Sequence, residues 1–494
     1  MRLTAQICGT SGEPRDYLEQ MFPFLVAILF IVGLNTLLWS AVGVIRVIAD
    51  RSARARMRRE PARELAAATP AIGDVAVIIA AHNEELILGD TVTSLCQLVP
   101  GNQVFVISDG STDATATIAR TMGATVLDLQ ANRGKAGAIV EGLRHFDIAS
   151  RFDVVLLLDA DTHLASDYFE TGLRLFDSPE VVAVAGHATT LDYPRPLTGL
   201  GRLLTTYRNR VYIAMQYLFK FGQAARYANV VSIVPGFASM YRSRILASID
   251  IDAPGLRIED YNMTFEVHAK QLGRIAFHPH AATALTQDPD RMDEYVKQVE
   301  RWNLGFWQTV RRHPFQMRKF WFALSLHILE LLLSSALLIL FLPALALSAV
   351  AWGIVGLGLD VGGSAELVGT ALPPLVLVLA LFIPDYLLSV LAAIVTRQPR
   401  YLAMGLVFPA MRILDAVLCV RGLAGSFLSA KGHGPWQSPR RRAALALPTD
   451  AKRVDTRHGT LTGGSQPGNC QPAVTAGARQ GGSVIERPLS DRSS

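Results

Sequence analysis

The sequence predicts an α/β domain with a mainly parallel sheet, flanked by transmembrane helices, and three observations predict it. Short uncharged apolar runs, Val75 to Ala80, Val104 to Ser108 and Val154 to Leu158, alternate with segments of helical spacing such as Ala114 to Met122. Long apolar stretches lie on both sides of this region. The composition matches such a division, because half of the 494 residues are hydrophobic while 18% are still charged. A chain of this length has room for more than one structural unit, since single cores rarely grow beyond about 250 residues.

The net charge of +5 and a pI near 9.0 raise nucleic acid as a partner. The Arg clusters at 51–59 and 440–442, however, adjoin apolar segments, so membrane lipids with anionic headgroups are the expected partner and nucleic acid is not. Cys8, Cys96, Cys419 and Cys470 show neither pairing nor metal-ligand spacing, which argues against a disulfide framework or a zinc site.

Taken in order, residues 1–21 read as an extracytoplasmic N-terminus and 22–48 as a transmembrane helix. No small-residue cleavage site closes that stretch, so an uncleaved anchor is expected rather than a signal peptide. Arg51, Arg54, Arg56, Arg58 and Arg59 follow it and place the basic linker 49–73, and the domain 74–293 after it, in the cytoplasm. Residues 294–319 read as an amphipathic interface helix. Residues 320–359 read as one long or kinked span, with Pro343 at the kink, and 367–395 as another span. The loop between those spans carries acids and no Lys or Arg, whereas Arg397 and Arg400 follow the second one. Pro409, Arg412, Asp415 and Arg421 interrupt 401–429, which is expected to be interfacial or re-entrant. Residues 443–494 have the composition of a disordered cytosolic tail. The expected location is the cell membrane, multi-pass.

The polar motifs fall where apolar strands end, which is where open α/β sheets bind ligands. VIIAAHNEE, Val77 to Glu85, delivers Ala81, Asn83 and Glu84 to a loop that is either a ligand contact or a solvated turn. VFVISDGSTD, Val104 to Asp113, reads as a strand and a tight turn, then Ser111 capping a helix with Asp113 as its early acid. Its functional reading is Asp109 as acceptor for the polar edge of a base. NRGKAGA puts Lys135 between glycines at a helix start, able to offer an ammonium and backbone amides to a diphosphate or simply to face water. VVLLLDAD ends an apolar strand in Asp159 and Asp161, spaced to point the same way along an extended chain. Such like charges call for a cation, and Mg²⁺ or Mn²⁺ held with substrate phosphates fits. RIEDYN supplies Glu259 and Asp260 before a helical stretch, as functional acids or as a cap. Gln298, Arg301 and Trp302 lie on neighbouring turns of the helix Glu294 to Arg312, as a binding face or a membrane-interface anchor.

In this order, HNEE, SDGSTD, NRGKAGA, DAD, IED and QVERW resemble the processive family 2 glycosyltransferases: cellulose, chitin, hyaluronan and poly-N-acetylglucosamine synthases. The resemblance covers residues 75 to about 320 and implies a GT-A fold, a divalent cation, a UDP-sugar donor and a glycan or glycolipid acceptor. It implies that Asp109 contacts uridine and that Ala81, Asn83, Glu84, Lys135 and Asp159 also serve the nucleotide-sugar. Asp161 and Asp159 would hold metal, and Asp260 would be the general base. Glu259, Gln298, Arg301 and Trp302 would bind acceptor sugar and pyrophosphate, with VPGFASMYR, Val234 to Arg242, as the acceptor-site strand and turn. Ala80 stands where the family usually has Pro, and Ile258 precedes Glu-Asp where cellulose synthases carry Thr; both weaken a cellulose assignment. The compact layout is that of the poly-N-acetylglucosamine and hyaluronan types, making a growing β-linked polysaccharide of GlcNAc the expected product. The resemblance leaves room for export or accessory subunits. The alternatives are single addition to a polyprenyl phosphate or glycerolipid and, in another class, a catalytically inactive membrane sensor or a transporter. His327, Glu330 and Asp385 are the polar residues within the spans that could face a glycan path.

Overall fold

The computed structural model describes residues 33–57, 69–191, 196, 198–359, 362–428, 453–455 and 460–462. The first helix, α1 (Leu34–Met57), holds the described part of the first expected span, and residues 22–32 of that span lie outside the described residues. The domain then begins with β1 (Val75–Ala81), α2 (Leu88–Leu95), β2 (Val104–Asp109), α3 (Thr115–Thr121), β3 (Thr125–Leu129), α4 (Gly134–His145) and β4 (Val154–Asp159). Next come β5 (Thr162–Leu164), β6 (Val181–Val184), β7 (His187–Thr190), α5 (Gly199–Ala214), β8 (Ala238–Arg242), α6 (Glu259–Ala269), β9 (Arg274–Ala276) and β10 (Thr283–Thr286).

Seven of these strands form a sheet of order β3-β2-β1-β4-β8-β6-β9, and the other three form a second sheet of order β5-β10-β7. β1, β2, β3 and β4 run parallel, while β8 is antiparallel to both β4 and β6. The uncharged runs explain this: Val75, Val77 and Ile79 join the core on one face of the sheet and Ala76, Ile78 and Ala80 the core on the other, so β1 is buried throughout. After β3 the chain returns to the far side of β1 to lay down β4. That reversal opens a crevice at the carboxyl ends of β1 and β4. The α/β, mainly parallel architecture expected from the sequence is the one observed.

Beyond the sheet come α7 (Met292–Arg312), α8 (Lys319–Gly356), α9 (Ser364–Ala371), α10 (Pro374–Thr396), α11 (Arg400–Met404) and α12 (Phe408–Leu428). α8 and the α9–α10 stretch are long and apolar enough to cross a membrane by length and composition. α8 runs unbroken through Pro343. The span expected over 367–395 falls on α9 and α10, which together are one candidate span by length and composition but part at Leu372 and Pro373. Pro373 and Pro374 lack the N–H groups that would continue α9 and bias the preceding residue away from helical geometry, while Pro374 suits a helix's first turn. The interface helix ends at Arg312 rather than 319, where Pro314 intervenes. Most of the tail lies outside the described residues, but Arg453–Asp455 and Thr460–Thr462 pair as short antiparallel strands, so the tail is not wholly without structure.

The helices are joined to the domain by polar contacts. Glu330 of α8 accepts from the backbone and side chain of Asn35 (2.7 and 3.2 Å). Arg46 of α1 donates to the Phe221 carbonyl at 2.8 Å and stacks on the Phe221 ring. On α5, Arg210 makes a two-pronged pair with Asp385 of α10 (2.7 and 3.1 Å). Asp385 is fully buried in that pair and Glu330 is bound to Asn35, so two of the three residues suggested for a glycan path serve as helix-to-helix ties.

Candidate active site

Strand register gathers the motif residues before any side chain is considered. Ala80 pairs with Asp159 across β1 and β4, and Ala81 pairs with Ser108 across β1 and β2, so Ala81, Asp109 and Asp159 end side by side. Two loops are tied together above them. Asn83, held at φ 54°, accepts the Thr112 N–H (2.9 Å) and donates its own N–H to Ser111 (3.2 Å), while the Glu84 N–H donates to Thr115 (2.9 Å). Ser111 is thereby engaged with Asn83, and the acceptor at the start of α3 is Asp113, which receives the Thr115 N–H at 3.0 Å. The expected Ser111 cap is corrected accordingly.

Asp109 is buried. One oxygen accepts the Arg133 N–H at 2.7 Å and the other, Oδ2, has no hydrogen-bond partner, while burial pushes its carboxyl above the ordinary range. Gly110 makes the turn possible: its φ is +61°, and a Cβ there would lie 2.6 Å from the Asn132 nitrogen.

Lys135 is the centre of the charge network. From the first turn of α4 it meets Asp159 Oδ1 at 2.7 Å and Glu259 Oε1 at 2.8 Å, and donates to the Gly236 carbonyl at 3.3 Å. β8 reaches this end because it runs against β4, and the turn before it is fixed by the Asp159 N–H donating to the Phe237 carbonyl (2.9 Å). Gly236 leaves room in that turn, since a Cβ would approach Glu259 Oε1 to 3.0 Å and both Asp260 Cβ and Lys135 Nζ to 3.3 Å. Asp260 lies beside it and accepts from Gly236 N (3.3 Å) and Tyr261 N (2.7 Å).

The carboxyls respond differently to this setting. Burial would raise Glu259, but the Lys135 ammonium outweighs it and holds Glu259 below its usual range. Asp159 stays raised, mainly by burial, with the nearby Asp161 adding to the rise. Asp260 is pushed up to about 7, first by burial and then by the Glu259 charge.

Among the described residues no group of three or more His, Cys, Asp or Glu converges on a metal position. Asp159 and Asp161 offer hard carboxylate oxygens at one strand end, and that pair fits Mg²⁺ or Mn²⁺ when diphosphate oxygens complete the shell.

On α7, Arg301 acts on this centre through its charge, while Gln298 and Trp302 contact Arg208 of α5. Ile258 packs where a Gly305 side chain would otherwise be, and the Arg301 charge helps hold Glu259 down. The sequence reading missed Arg208, Tyr212 and Asp288. Arg208 lies over the Trp302 ring at 3.9 Å and donates to Gln298 Oε1 at 3.3 Å, and Tyr212 donates to Asp288 at 2.8 Å. The available signal was the run Tyr207 to Tyr212, too polar for a helix inside a domain unless its side chains are paired.

The sheet, its crevice and the carboxylates are those of an α/β domain, and residues 70–305 match the family described as glycosyltransferase like family 2. This segment is a family 2 glycosyltransferase domain. Curated relatives include poly-β-1,6-N-acetyl-D-glucosamine synthases of Staphylococcus epidermidis and of Staphylococcus aureus strain COL. Each is 25% identical over 251 residues; the matches cover 48% and 50% of this chain and 57% of each relative. The chain thus spans little more than half the length of these relatives. Among solved structures it is similar to a mannosyltransferase from Pyrobaculum calidifontis in complex with GDP-Man and Mn²⁺, with TM-score 0.44 and 16% identity over 80% of this chain and 100% of that one. It is also similar to glucosyl-3-phosphoglycerate synthase from Mycobacterium tuberculosis in complex with Mn²⁺, UDP-glucose and phosphoglyceric acid, with TM-score 0.33 and 19% identity over 50% of this chain and 82% of that one.

Proposed function

We propose that the chain is a membrane-embedded, inverting family 2 glycosyltransferase that moves GlcNAc from UDP-GlcNAc onto a growing β-linked polysaccharide at the cytoplasmic face of the cell membrane. The observation that carries this reading is the Lys135 bridge between Asp159, at the end of β4, and Glu259, at the start of α6, with Asp260 beside it on the Gly236 turn. One ammonium there joins the donor side of the crevice to the acceptor side. The curated relatives support the choice of sugar. The length and apolar character of α8 and of α9–α10 support the membrane location.

In the transfer an acceptor hydroxyl oxygen bonds to the anomeric carbon while the bond from that carbon to the diphosphate oxygen breaks. The bonding electrons leave with UDP and the hydroxyl proton passes to the Asp260 carboxylate. A carboxyl pushed up to about 7 holds such a proton well enough to help the attack and still has a substantial ionised fraction at neutral pH. Lys135 stabilises charge on the diphosphate, and Asp109 Oδ2 awaits an N–H such as that of uracil. A divalent cation held by Asp161 and Asp159 would supply further neutralisation of the leaving group.

The test is UDP release by purified full-length protein in nanodiscs with Mg²⁺ or Mn²⁺, across UDP-GlcNAc, UDP-Glc, UDP-GlcA and UDP-Gal, followed by product sizing. Release from UDP-GlcNAc with a high-mass glycan is the expected result. A small glycolipid product would replace the polymer by single addition, and no release from any donor would overturn the transferase reading.

A further inference from the structure

The acceptor motif on α7 has a partner on another element. Arg208 of α5 lays its guanidinium on one face of the Trp302 indole, 3.9 Å from the ring centroid, and donates to Gln298 Oε1 at 3.3 Å. Arg208 is buried, and Tyr212 and Tyr295 bracket it with centroid distances of 5.4 and 5.8 Å. Its Nε lies 3.8 Å from Asp288 Oδ1, and Asp288 is itself fixed by Thr190 (2.6 Å) and Tyr212 (2.8 Å). Burial pushes the Asp288 carboxyl up.

A half-buried indole with one face covered can receive a sugar ring only on the other. A flat cation stacked on the covered face fixes the ring's tilt and depth, which a lysine ammonium, compact and mobile, does not. We propose that Arg208 is a positioning residue of the acceptor site, acting through Trp302 and Gln298 to present a fixed sugar-stacking platform. The proposal rests on the transferase reading above.

The test uses the full chain in nanodiscs with the donor that wild type turns over and an oligosaccharide of the same sugar as added acceptor. Arg208→Ala and Arg208→Lys should each raise the acceptor KM by about tenfold, the size expected for loss of a desolvated cation–π contact. UDP affinity should stay at its wild-type value and products should shorten. In the Trp302→Ala background Arg208→Ala should add little, because the two residues act in series. The proposal is overturned by an unchanged acceptor KM in either variant that still binds UDP, or by additive losses in the double variant. Absence of UDP release from wild type with any donor would instead remove the transferase reading, and this proposal with it.

Discussion

Two charge clusters in this molecule each join basic side chains to carboxylates and behave differently. At the sheet's crevice, Lys135 is shared by Asp159 and Glu259, with side-chain exposures of 22%, 34% and 8%, and Asp260 is left with backbone donors as its hydrogen-bond partners. Between α5 and α10, Arg210 meets both oxygens of Asp385 with side-chain exposures of 3% and 0%, and Arg412 stands 3.8 Å from the same carboxylate. In the second cluster the two-pronged Arg210–Asp385 pair is sealed, and Arg412 is a further, partly exposed cation beside it. The first is open and carries more acid than its lysine can neutralise; burial first, and then the Glu259 charge, push Asp260 up to about 7. A charge excess beside a cleft is characteristic of a functional site, whereas a matched, sealed pair fixes how elements dock.

The largest expected effect separates the clusters by function. Asp260→Asn should lower kcat by about 10²- to 10⁴-fold, the usual contribution of a general base, with UDP affinity retained in a binding titration. Wild-type activity should fall as pH drops below about 7, where Asp260 takes up its proton. The stability effect follows from the same shift. A carboxyl whose pKa is raised by folding favours the folded state fully below its unfolded value near 4, and that contribution is lost as pH rises to about 7. Asp260→Asn should therefore melt higher than wild type above pH 7 and show no such gain below pH 4.

The converse holds for the sealed pair. Asp385→Ala leaves Arg210 buried without its partner and should destabilise the protein by about 3–5 kcal/mol in denaturant unfolding. Arg210→Met with Asp385→Leu should recover most of that loss. If the single change proves harmless, the docking role given to this cluster is wrong.

These clusters also differ in how far the sequence reveals them. Asp109, Asp159 and Asp161 were legible because each follows an uninterrupted apolar strand, so that local pattern alone places them at the sheet's carboxyl end. Lys135 and Asp260 were legible as motif members, but their meeting at the Gly236 turn depends on β8 running against β4, which no local pattern encodes. Arg210 and Asp385 are 175 positions apart and Arg208 and Gln298 are 90, so their pairing belongs to tertiary structure alone. The break between α9 and α10 was hidden differently. Apolar residues continue on both sides of Pro373 and Pro374, and hydropathy has no term for a missing N–H.

A smaller effect tests whether the open cluster depends on Lys135 as its shared cation. Lys135→Met removes that ammonium from Asp159 and Glu259, and should weaken UDP binding by about ten- to a hundredfold, as expected for one charge-assisted contact. Binding unchanged by this substitution would mean that the bridge only organises the empty crevice.

The smallest effect probes spacing rather than charge. Gly236→Ala puts a methyl 3.0 Å from Glu259 Oε1 and 3.3 Å from Lys135 Nζ, so those side chains must yield by a few tenths of an ångström. The bridge can stretch more cheaply than the β8 turn can move, because that turn is pinned by the Asp159 N–H on the Phe237 carbonyl. A crowding cost of about 1 kcal/mol corresponds to a few-fold loss of kcat, with folding and UDP affinity nearly unchanged. If Gly236→Ala instead melts far below wild type, the crevice is as tightly matched as the Arg210–Asp385 pair, and the contrast between an open and a closed cluster would no longer hold.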